Sequence, residues 1–494
     1  MKIFFLMRNS GYLRIFEPVL RLLAERGHRI HLGFFNVKDH YPEAAIAKIS
    51  QDNSKIRYTI FPKGSWFWRD LAEFTRGLQT YVRFLDKRYT DAHKLRARAA
   101  ALVPGPVRWI VDMIVGRRGQ NMWSVINFLK NIEKVIPLNP FIVDFFKSDR
   151  PDVFLVTPLI DLRGTQIDWL KCAKAMGIKS GLCVASWDNL TNKSLIQTEP
   201  DTVFVWNKIQ QEEAVELHHV DPLKIVITGA QCHDRLFARR PSTSSEEFRR
   251  KVGLPSETPF LLYLCSSRFI APHEVDFIGQ WIEHLRNSED PKFKKIGVLV
   301  RPHPQNASQW RDVNFADYGN VAIYPRLGAN PIGGDSLNDF FDSMYHSVAT
   351  VGINTSPMIE SGILNKPVFT ILAPEFRDTQ KGTLHFHHLV AGGLLNISHD
   401  LDEHLIQLSR VFANRESYQV RIKHFIQNFI RPHGLDTECT PIFVDAVEKL
   451  KLQPLSSPVD APRWRPLVRF LLFPWAAISF TVRKFKYCLQ NNSL

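Results

Sequence analysis

The segment LAERGHRIHLGF, residues 23–34, joins the end of one secondary-structure element to the start of the next. Its first part closes an amphipathic stretch, Phe16–Arg26, and Gly27 then stops the helix, because glycine readily adopts the left-handed conformation common at helix C-termini. The residues that follow, Arg29–Phe35, are mostly apolar and predict a buried strand. Upstream, Lys2–Met7 predicts another strand, so the chain opens as strand–helix–strand.

The same alternation continues along two halves of the chain. A helix that links neighbouring strands of one sheet makes them parallel, so the pattern predicts doubly wound, Rossmann-like sheets and the α/β class. In the first half, the further strands predicted are Val153–Thr157, Lys179–Ala185, Thr202–Trp206 and Lys224–Thr228, with a helix at Trp169–Met176. In the second half, they are Phe260–Cys265, Lys295–Arg301, Val321–Tyr324, Ser347–Gly352 and Lys366–Leu372, before one long amphipathic segment at Asp402–Phe429.

The length of the chain, 494 residues, fits two such domains, since domains usually span roughly 100–200 residues. The polar stretch RRPSTSS, which begins at Arg239, is typical of an interdomain linker. We therefore predict an N-terminal domain at 1–238, a C-terminal domain at 246–450 and a basic amphipathic tail at 451–494.

A helical insertion at about 66–134 interrupts the first domain and is rich in aromatic and arginine residues. One interpretation is a set of core helices with solvated Arg faces. The other is a membrane-surface or lipid-acceptor face, because basic residues beside aromatic rings suit the headgroup layer. The tail is basic at both ends and apolar between them, so it is either a core-packing segment or an interfacial membrane anchor.

The net charge of +14 favours anionic partners, which are nucleic acid, an anionic membrane face or phosphorylated substrates. The sequence has no zinc-finger, RRM or KH signature, so we expect no nucleic-acid partner. No run of eighteen or more apolar residues occurs, and we therefore expect no membrane-spanning segment.

The stretch VGINTSPMIE, residues 351–360, runs from a strand through a loop of small residues into a helix. In doubly wound folds, ligands bind at the carboxyl ends of strands. Backbone amides at the start of a helix can hold a diphosphate, here with Asn354 and the hydroxyls of Thr355 and Ser356. Glu360, one turn into the helix, is placed for ribose hydroxyls. The alternative is N-capping by Thr355 or Ser356, completed by Glu360.

The sequence RPHP follows the strand that ends at Arg301. Arginine offers planar, bidentate hydrogen bonding to phosphate, and His303 can donate a hydrogen bond or carry charge. The alternative is that Arg301 pairs with a carboxylate of the protein. Ser266 and Arg268, just after the strand Phe260–Cys265, are further candidates for ligand binding because small residues permit close approach.

In the first domain, the polar cluster SWDNLTNK, residues 186–193, follows the strand Lys179–Ala185. We expect this cluster to face an interdomain cleft. Asp188 is the acidic group best placed to deprotonate an acceptor hydroxyl, which is the task of a general base. The alternative is an Asx turn formed by Asp188 or Asn189.

Signatures of other cofactor chemistries are missing from the sequence. It has no G-x-G-x-x-G, Walker loop or H-E-x-x-H motif. His385, His387 and His388 lie close together, but no cysteine or carboxylate cluster accompanies them. We predict no metal and no cofactor.

At these motifs the chain resembles the GT-B superfamily, and in particular bacterial surface-carbohydrate proteins near the CDP-glycerol glycerophosphotransferases and the UDP-N-acetylglucosamine 2-epimerases. The likeness covers roughly residues 1–450. RPHP resembles the donor-phosphate motif of the glycerophosphotransferases, which implies that role for Arg301 and His303. GINTSPMIESGILNKPVF resembles the donor-binding strand–loop–helix of the family, which implies donor contacts for Thr355, Ser356 and Glu360.

One departure from the family pattern concerns the base. The glycerophosphotransferases carry a His-Gly pair after a strand of the N-domain, and Asp188 stands where that histidine would fall. This difference favours a sugar donor over glycerol phosphate.

The resemblance implies two Rossmann-like domains that face each other across a cleft, and metal-independent transfer of a sugar from a nucleotide-linked donor. The acceptor expected is a surface polysaccharide or a glycolipid. The expected location is peripheral, at the cytoplasmic face of an anionic cell membrane. The alternatives are a CDP-glycerol glycerophosphotransferase-like polymer transferase, a nucleotide-sugar 2-epimerase and a non-catalytic scaffold of polysaccharide assembly.

Overall fold

The structure, a computed structural model, describes residues 1–38, 41–62, 66–116, 119–162, 164–454 and 464–491. The chain divides into two compact units. Unit 1 contains Met1–Cys232 and Glu438–Leu494, and unit 2 contains His233–Thr437. The chain therefore leaves unit 1 once and returns to it at the C-terminal end.

The strands belong to two parallel sheets, one in each unit. They are β1 Lys2–Met7, β2 Arg29–Phe34, β3 Ile56–Ile60, β4 Val153–Thr157, β5 Lys179–Cys183, β6 Thr202–Val205, β7 Ile225–Ile227, β8 Phe260–Leu264, β9 Gly297–Arg301, β10 Val321–Ile323, β11 Ala349–Gly352, β12 Val368–Ile371 and β13 Leu395–Ser398. The described strands of unit 1 are ordered β3-β2-β1-β4-β5-β6-β7, and those of unit 2 are ordered β10-β9-β8-β11-β12-β13. Both orders reverse direction beside the first strand of the unit, as in a doubly wound Rossmann sheet.

Helices connect the strands and extend both ends of unit 1. They are α1 Leu13–Glu25, α2 Glu43–Asp52, α3 Arg69–Arg83, α4 His93–Ala100, α5 Gly105–Val115, α6 Met122–Val135, α7 Pro140–Asp149, α8 Ile167–Ala175, α9 Asn189–Asn192, α10 Lys208–His218, α11 Asp234–Ala238, α12 Ser245–Val252, α13 Val275–Asn287, α14 Pro291–Lys295, α15 Gly334–His346, α16 Pro357–Ile363, α17 Leu384–Ala391, α18 Leu401–Ala413, α19 Arg415–Phe429, α20 Cys439–Leu452 and α21 Arg465–Asn491.

The predicted α/β class is confirmed, and the predicted strands are present with ends that differ by one or two residues. Strands β3 and β13 were not predicted. Each lies at an edge of its sheet. In β3 most residues are only partly buried, so the apolar pattern that marks a central strand is weak there.

The amphipathic segment predicted at Asp402–Phe429 is two helices, α18 and α19, rather than one. The break falls at Asn414, whose φ of −149° and ψ of 86° are not helical. Its side-chain oxygen accepts a hydrogen bond from the Ser417 amide at 3.3 Å, which caps α19. The apolar spacing continues across the break, and this continuity is why the sequence indicated a single helix.

Helix α20 packs in unit 1, whereas the predicted C-terminal domain extended to residue 450. Its Phe443 ring lies 6.1 Å from the ring of Phe16 on α1 and 5.1 Å from that of Phe204 on β6. Arg26, at the end of α1, pairs with Glu448 at 2.9 Å. The sequence of an amphipathic helix does not indicate which sheet covers it. The sequence therefore did not indicate that the chain returns to unit 1 at α20.

The insertion forms helices α3 to α6, as expected, but two of its arginines are buried instead of solvated. The Arg76 guanidinium donates to Glu133 at 2.7 Å and to Asp168 at 2.6 Å. Lys171 donates to the same Glu133 carboxylate at 3.0 Å. These four charges tie α3 to α6 and α8 within unit 1.

Burial alone would raise the pKa of Glu133, but the charges and hydrogen bonds of Arg76 and Lys171 outweigh it and lower that pKa to about 2. A carboxyl group whose pKa is lower in the folded than in the unfolded chain stabilises the fold above its unfolded pKa. The stabilisation by Glu133 is therefore complete at neutral pH. It is lost as the pH falls from the ordinary value of 4.5 towards 2.

We expect Glu133→Gln to lower the free energy of unfolding at pH 7 by about 3 kcal/mol, because it leaves the charges of the buried Arg76 and the half-buried Lys171 incompletely compensated. Urea unfolding followed by far-UV circular dichroism measures the change. Glu216→Gln removes the exposed partner of Arg88 and is the matched control, with an expected change below about 0.5 kcal/mol. Equal stability of the two variants would contradict a stabilising role for the buried network.

Candidate functional site

In unit 2, the predicted donor-binding loops lie side by side at the carboxyl edge of the sheet. Parallel pairing sets Arg301 of β9 opposite Leu264 of β8, and Leu264 opposite Gly352 of β11. Adjacent strands lie about 4.8 Å apart, so the Cα atoms of Arg301 and Gly352 are separated by about 10 Å. RPHP, the loop after β8 and the loop after β11 therefore share one end of the sheet, where ligands of doubly wound folds bind.

Arg301 is a buried cation with one hydrogen-bonding group unused. Its side chain lies over the Phe340 ring at 5.1 Å, and Nη1 donates to the Asp339 carbonyl oxygen at 3.4 Å. Only 5% of the residue is exposed, and Nη2 has no hydrogen-bond partner among the described residues. Burial lowers the pKa of Arg301 to about 10, so the group stays cationic at neutral pH.

The alternative role for Arg301 was an ion pair with a carboxylate. Among the described residues, Arg301 forms no such ion pair. The nearby carboxylate of Asp339 instead accepts from the Tyr324 hydroxyl at 2.7 Å and pairs with Lys251. Buried donors are normally satisfied, since an unmade hydrogen bond to a buried group costs about 1–3 kcal/mol. The geometry leaves Nη2 of Arg301 available to an anionic ligand.

His303 is half-buried two residues beyond Arg301. Burial lowers its pKa to about 4, so the imidazole is neutral at pH 7. Its Nδ1 accepts the backbone N–H of Gln305 at 3.1 Å, which places the ring proton on Nε2. Of the two roles considered for His303, the structure supports the neutral hydrogen-bond donor, and Arg301 supplies the positive charge.

Asn354 and Ser266 join the two neighbouring loops to each other and to the core. The Asn354 amide nitrogen lies 3.5 Å from Ser266 Oγ, and its side-chain Nδ2 donates to the Thr379 carbonyl oxygen at 2.6 Å. Both residues are buried. These contacts hold the loops in place, and direct contacts of Asn354 and Ser266 with a ligand stay a prediction.

The remaining predicted donor residues differ in exposure. Thr355 is buried, Ser356 is exposed immediately before α16, and Glu360 is half-buried in its first turn. Ser356 makes no side-chain capping hydrogen bond to α16, so the N-capping alternative is not realised there. Arg268 is exposed on the loop after β8.

Glu274 is a buried carboxyl group that the sequence analysis missed. Its Oε2 accepts the Ser266 amide at 2.8 Å, and Oε1 lies 3.4 Å from the Tyr263 hydroxyl. Burial raises the pKa of Glu274 to about 8, so it is protonated at neutral pH. Through its hydrogen bond with the Ser266 amide, Glu274 holds the loop after β8 in place. The sequence FIAPHEVDFI around it carries two acidic residues and did not single out Glu274.

In unit 1, Asp188 lies after β5, at the start of the short helix α9, and is half-buried. Its Oδ1 accepts the Ser186 hydroxyl at 2.6 Å, and its Oδ2 accepts Nδ2 of Asn192 at 3.3 Å. The side chain makes no capping hydrogen bond to α9, so a capping turn does not account for Asp188. The carboxylate is held in one orientation by neighbouring side chains.

Three further polar residues lie near Asp188 and were missed. Arg8 follows β1 and pairs with Asp161, which follows β4, at 3.0 Å. Burial raises the pKa of Tyr12 to about 12, with Arg8 opposing the rise and Asp161 and Asp188 adding to it. The four charged or phenolic groups thus lie within electrostatic reach of one another. The rule that ligands bind at strand ends, applied to β1 and β4, would have found them.

Two arginines of the insertion donate hydrogen bonds to the segment that follows Asp188. The buried Arg83 of α3 donates to the carbonyl oxygens of Leu190 and Ser194, the latter at 3.1 Å. Arg98 of α4 donates to the Asn192 carbonyl oxygen. A cation at the C-terminal end of a helix satisfies carbonyl groups that would otherwise lack partners. These two arginines therefore order the segment that follows Asp188.

The histidine group is not arranged as a metal site in the part of the chain that the structure describes. No cluster of three or more His, Cys, Asp or Glu side chains there could hold a metal ion. His387 Nε2 contacts the Lys381 carbonyl oxygen at 2.8 Å, and His385 Nε2 lies 3.4 Å from Asn354 Nδ2. His385 is buried, whereas His387 is exposed at the surface.

Two Rossmann-like units, each with polar residues at the carboxyl ends of its strands, define a protein with the GT-B fold, as the resemblance implied. The chain is similar to the UDP-GlcNAc 2-epimerase of Neisseria meningitidis bound to UDP-GlcNAc, with 13% identity, a TM-score of 0.52 and coverage of 91% of this chain and 100% of that one. It is similar to a glycosyltransferase from Rickettsia africae, with 11% identity, a TM-score of 0.52 and coverage of 91% and 98%.

The chain is also similar to MnaA of S. aureus in a structure with UDP, with 10% identity, a TM-score of 0.51 and coverage of 93% and 99%. No family model and no curated protein matches the chain. At such low identities the likeness establishes the fold, and the chemistry has to be argued from the residues of this chain.

Proposed function

We propose that the protein is a metal-independent glycosyltransferase that moves a sugar from a nucleotide-linked donor to a saccharide or glycolipid acceptor. The observation that carries the proposal is Arg301, a buried cation with an unused donor at the ligand-binding end of the unit 2 sheet. A diphosphate supplies oxygen atoms that can accept a hydrogen bond from Nη2, and negative charge that can pair with the guanidinium.

The residues around Arg301 fit the other parts of a nucleotide-linked donor. The neutral His303 donates through Nε2 to a phosphate oxygen. Glu360, in the first turn of α16, is placed to accept hydroxyl groups of a ribose. Thr355 and Ser356 belong to the same loop, and Glu274 and Ser266 hold the adjoining loop in place.

The reaction needs the unit 1 residues as well. Asp188 takes the proton of an acceptor hydroxyl, and the oxygen forms a bond to the anomeric carbon of the donor sugar. The bond from that carbon to the diphosphate breaks, and its electron pair leaves with the nucleotide diphosphate. Arg301 stabilises the charge that develops on this leaving group, a role in which fixed cations and hydrogen-bond donors are effective because they need no reorganisation.

A nucleotide-sugar 2-epimerase is the second candidate, because similar structures include UDP-GlcNAc 2-epimerases. It would use the same donor site without an acceptor. A CDP-glycerol glycerophosphotransferase-like activity is less well supported, since Asp188 replaces the histidine expected as its base.

A thermal-shift panel of uridine, guanosine and cytidine nucleotides, with UDP-GlcNAc and CDP-glycerol included, tests the proposal. A ligand that binds the folded state raises the midpoint of unfolding by mass action. We expect a selective shift with one nucleotide class, and uridine compounds come first because two similar structures hold UDP or UDP-GlcNAc. No shift with any compound would favour the scaffold role.

The two enzyme classes differ in their products. Incubation of UDP-GlcNAc with the protein alone, followed by NMR, detects C2 inversion if the protein is an epimerase. A transferase instead releases free nucleotide in proportion to acceptor added. Inversion at C2 without an acceptor would replace the proposed transferase with the epimerase.

A further inference from the structure

Helix α21 is apolar on both of its sides, although only one side is covered by the protein. On the covered side, Ala476 is buried and Leu472 packs against the cluster of Leu71, Ala72 and Ile136. On the other side, large apolar side chains are exposed at helical spacing; they are Leu467, Phe470, Leu471, Ile478 and Val482. We call this set the outer face. A helix that is apolar all round is normally buried in protein or in lipid.

Of the described helices, α21 contains a stretch, Arg465–Arg483, that is long and apolar enough to cross a membrane, and little of it is buried in the protein. The expectation of no such segment counted uninterrupted apolar residues, and Arg469 interrupts this run. Length and composition alone do not decide whether a helix crosses a bilayer or lies on its surface.

The contacts of α21 with unit 1 favour a helix that lies on the surface. Arg483 pairs with Asp70 of α3 at 3.0 Å and donates to the Trp66 carbonyl oxygen at 2.9 Å. Arg469 donates to the Val135 carbonyl oxygen at 2.6 Å. These bonds fix α21 at both ends of the apolar stretch, and crossing a bilayer would break them.

Aromatic rings complete the attachment. Phe67 lies 5.2 Å from Phe473, and Phe74 lies 5.6 Å from Trp475, measured between ring centroids. Aromatic pairs at such distances stabilise a contact beyond the area that they bury. The inner side of α21 is thus attached to unit 1 through aromatic contacts, and the side chains of the outer face are largely exposed.

The charge of α21 indicates which partner covers the outer face. Residues 465–486 contain three arginines and two lysines and no aspartate or glutamate. An apolar face flanked by basic residues fits a bilayer with anionic headgroups, because burial in the acyl region and attraction to the headgroups act together. Helix α5 also exposes apolar side chains, among them Trp109 (65% exposed), Ile110 and Met113. Helix α5 is joined to α3, the helix that holds α21, by the hydrogen bond of 2.6 Å from the Tyr81 hydroxyl to Asp112.

We propose that α21 is an in-plane membrane anchor, which lies on an anionic bilayer with its outer face inserted and remains attached to α3. The proposal does not depend on the identity of the donor. Helix α3 also carries Arg83, which supports the loop of Asp188, so the bilayer surface and the acceptor-side residues share one helix.

Sedimentation with vesicles tests the anchor, using the full-length protein and the double variant Phe470→Glu, Leu471→Glu. We expect the parent protein to sediment with vesicles of phosphatidylglycerol and phosphatidylcholine, and less with phosphatidylcholine alone or at high salt. The double variant should lose at least about 10²-fold in affinity, because two large apolar side chains no longer insert. Leu223→Glu, at a position of unit 1 that is 93% exposed, is the matched control and should bind like the parent.

Further measurements distinguish an in-plane anchor from a helix that spans the bilayer and from an interface with a second copy. Phe470 and Leu471 are 77% and 66% exposed, so circular dichroism and the unfolding midpoint should be unchanged in the double variant. Sodium carbonate at alkaline pH should release the protein from vesicles, whereas resistance would mean that α21 spans the bilayer. Vesicle binding that is equal in the parent and the double variant would overturn the proposal. So would a parent dimer that becomes monomeric in the variant without any binding to vesicles, because the outer face would then cover a second copy.

Discussion

Asp188→Asn is expected to leave donor binding unchanged and to lower turnover by on the order of 10³ to 10⁴-fold, because an amide cannot accept the acceptor proton. The substitution keeps the shape of the side chain, and the oxygen of the amide can still accept the Ser186 hydroxyl that now donates to Oδ1 at 2.6 Å. The loop should therefore keep its position, which Arg83 and Arg98 fix from behind. Loss of rate without loss of affinity is the signature of a group that acts in the transition state.

Donor affinity is measured by calorimetry with the nucleotide that gives the largest shift in the panel, and turnover by release of that nucleotide in the presence of acceptor. Asp144→Asn, at an exposed position on α7, is the matched control and should keep full activity. Full turnover by Asp188→Asn would remove the assignment of Asp188 as the base. Arg8 and Asp161 would then be the next residues to test, because their ion pair of 3.0 Å lies in the same region.

Arg301→Met is expected to weaken binding of the nucleotide by about 10³-fold, since loss of a buried cation that contacts a phosphate removes both charge and hydrogen bonds. Methionine retains much of the apolar contact with Phe340. Arg301→Lys should show an intermediate loss, because lysine keeps the charge but not the planar fork. Calorimetry with the same nucleotide measures the affinity of the parent protein and of both variants.

The stability of the free protein distinguishes this loss from misfolding. Arg301 is buried without a carboxylate partner among the described residues, so an apolar side chain of similar length should leave the unfolding midpoint unchanged or raise it. Arg250→Met removes an exposed arginine of unit 2 and should change neither affinity nor stability. Unchanged affinity of Arg301→Met for every nucleotide that binds the parent protein would place the donor elsewhere.

Several features of the candidate site followed from strand ends alone. Asp188, Arg301 and the loop that begins at Asn354 were found because each ends or follows an apolar strand, and the carboxyl ends of parallel strands share one edge within each sheet. The direction of each side chain did not follow from that rule. Asn354 satisfies the Thr379 carbonyl group instead of facing outward, and Arg301 stacks on Phe340 of a helix that is distant in sequence.

The supporting residues were less visible, because their roles depend on burial. Arg76 and Arg83 look like other arginines of the insertion, and only packing shows that they are enclosed and that Arg83 faces the end of α9. Glu274 similarly needed the fold, since its protonation at neutral pH comes from the apolar walls around it. Charge in the sequence indicates what a residue can do, and its surroundings decide what it does.

The sequence by itself determined the α/β class, the succession of strands and the loops that carry the candidate chemistry, because local apolar periodicity and strand ends are written in neighbouring residues. The tertiary structure alone decided that α20 and α21 return to unit 1, that the arginines of the insertion support the Asp188 loop, and that Nη2 of Arg301 lacks a partner among the described residues. These features arise from contacts between residues far apart in the chain, and an amphipathic helix or a charged side chain carries no local record of the surface that will cover it.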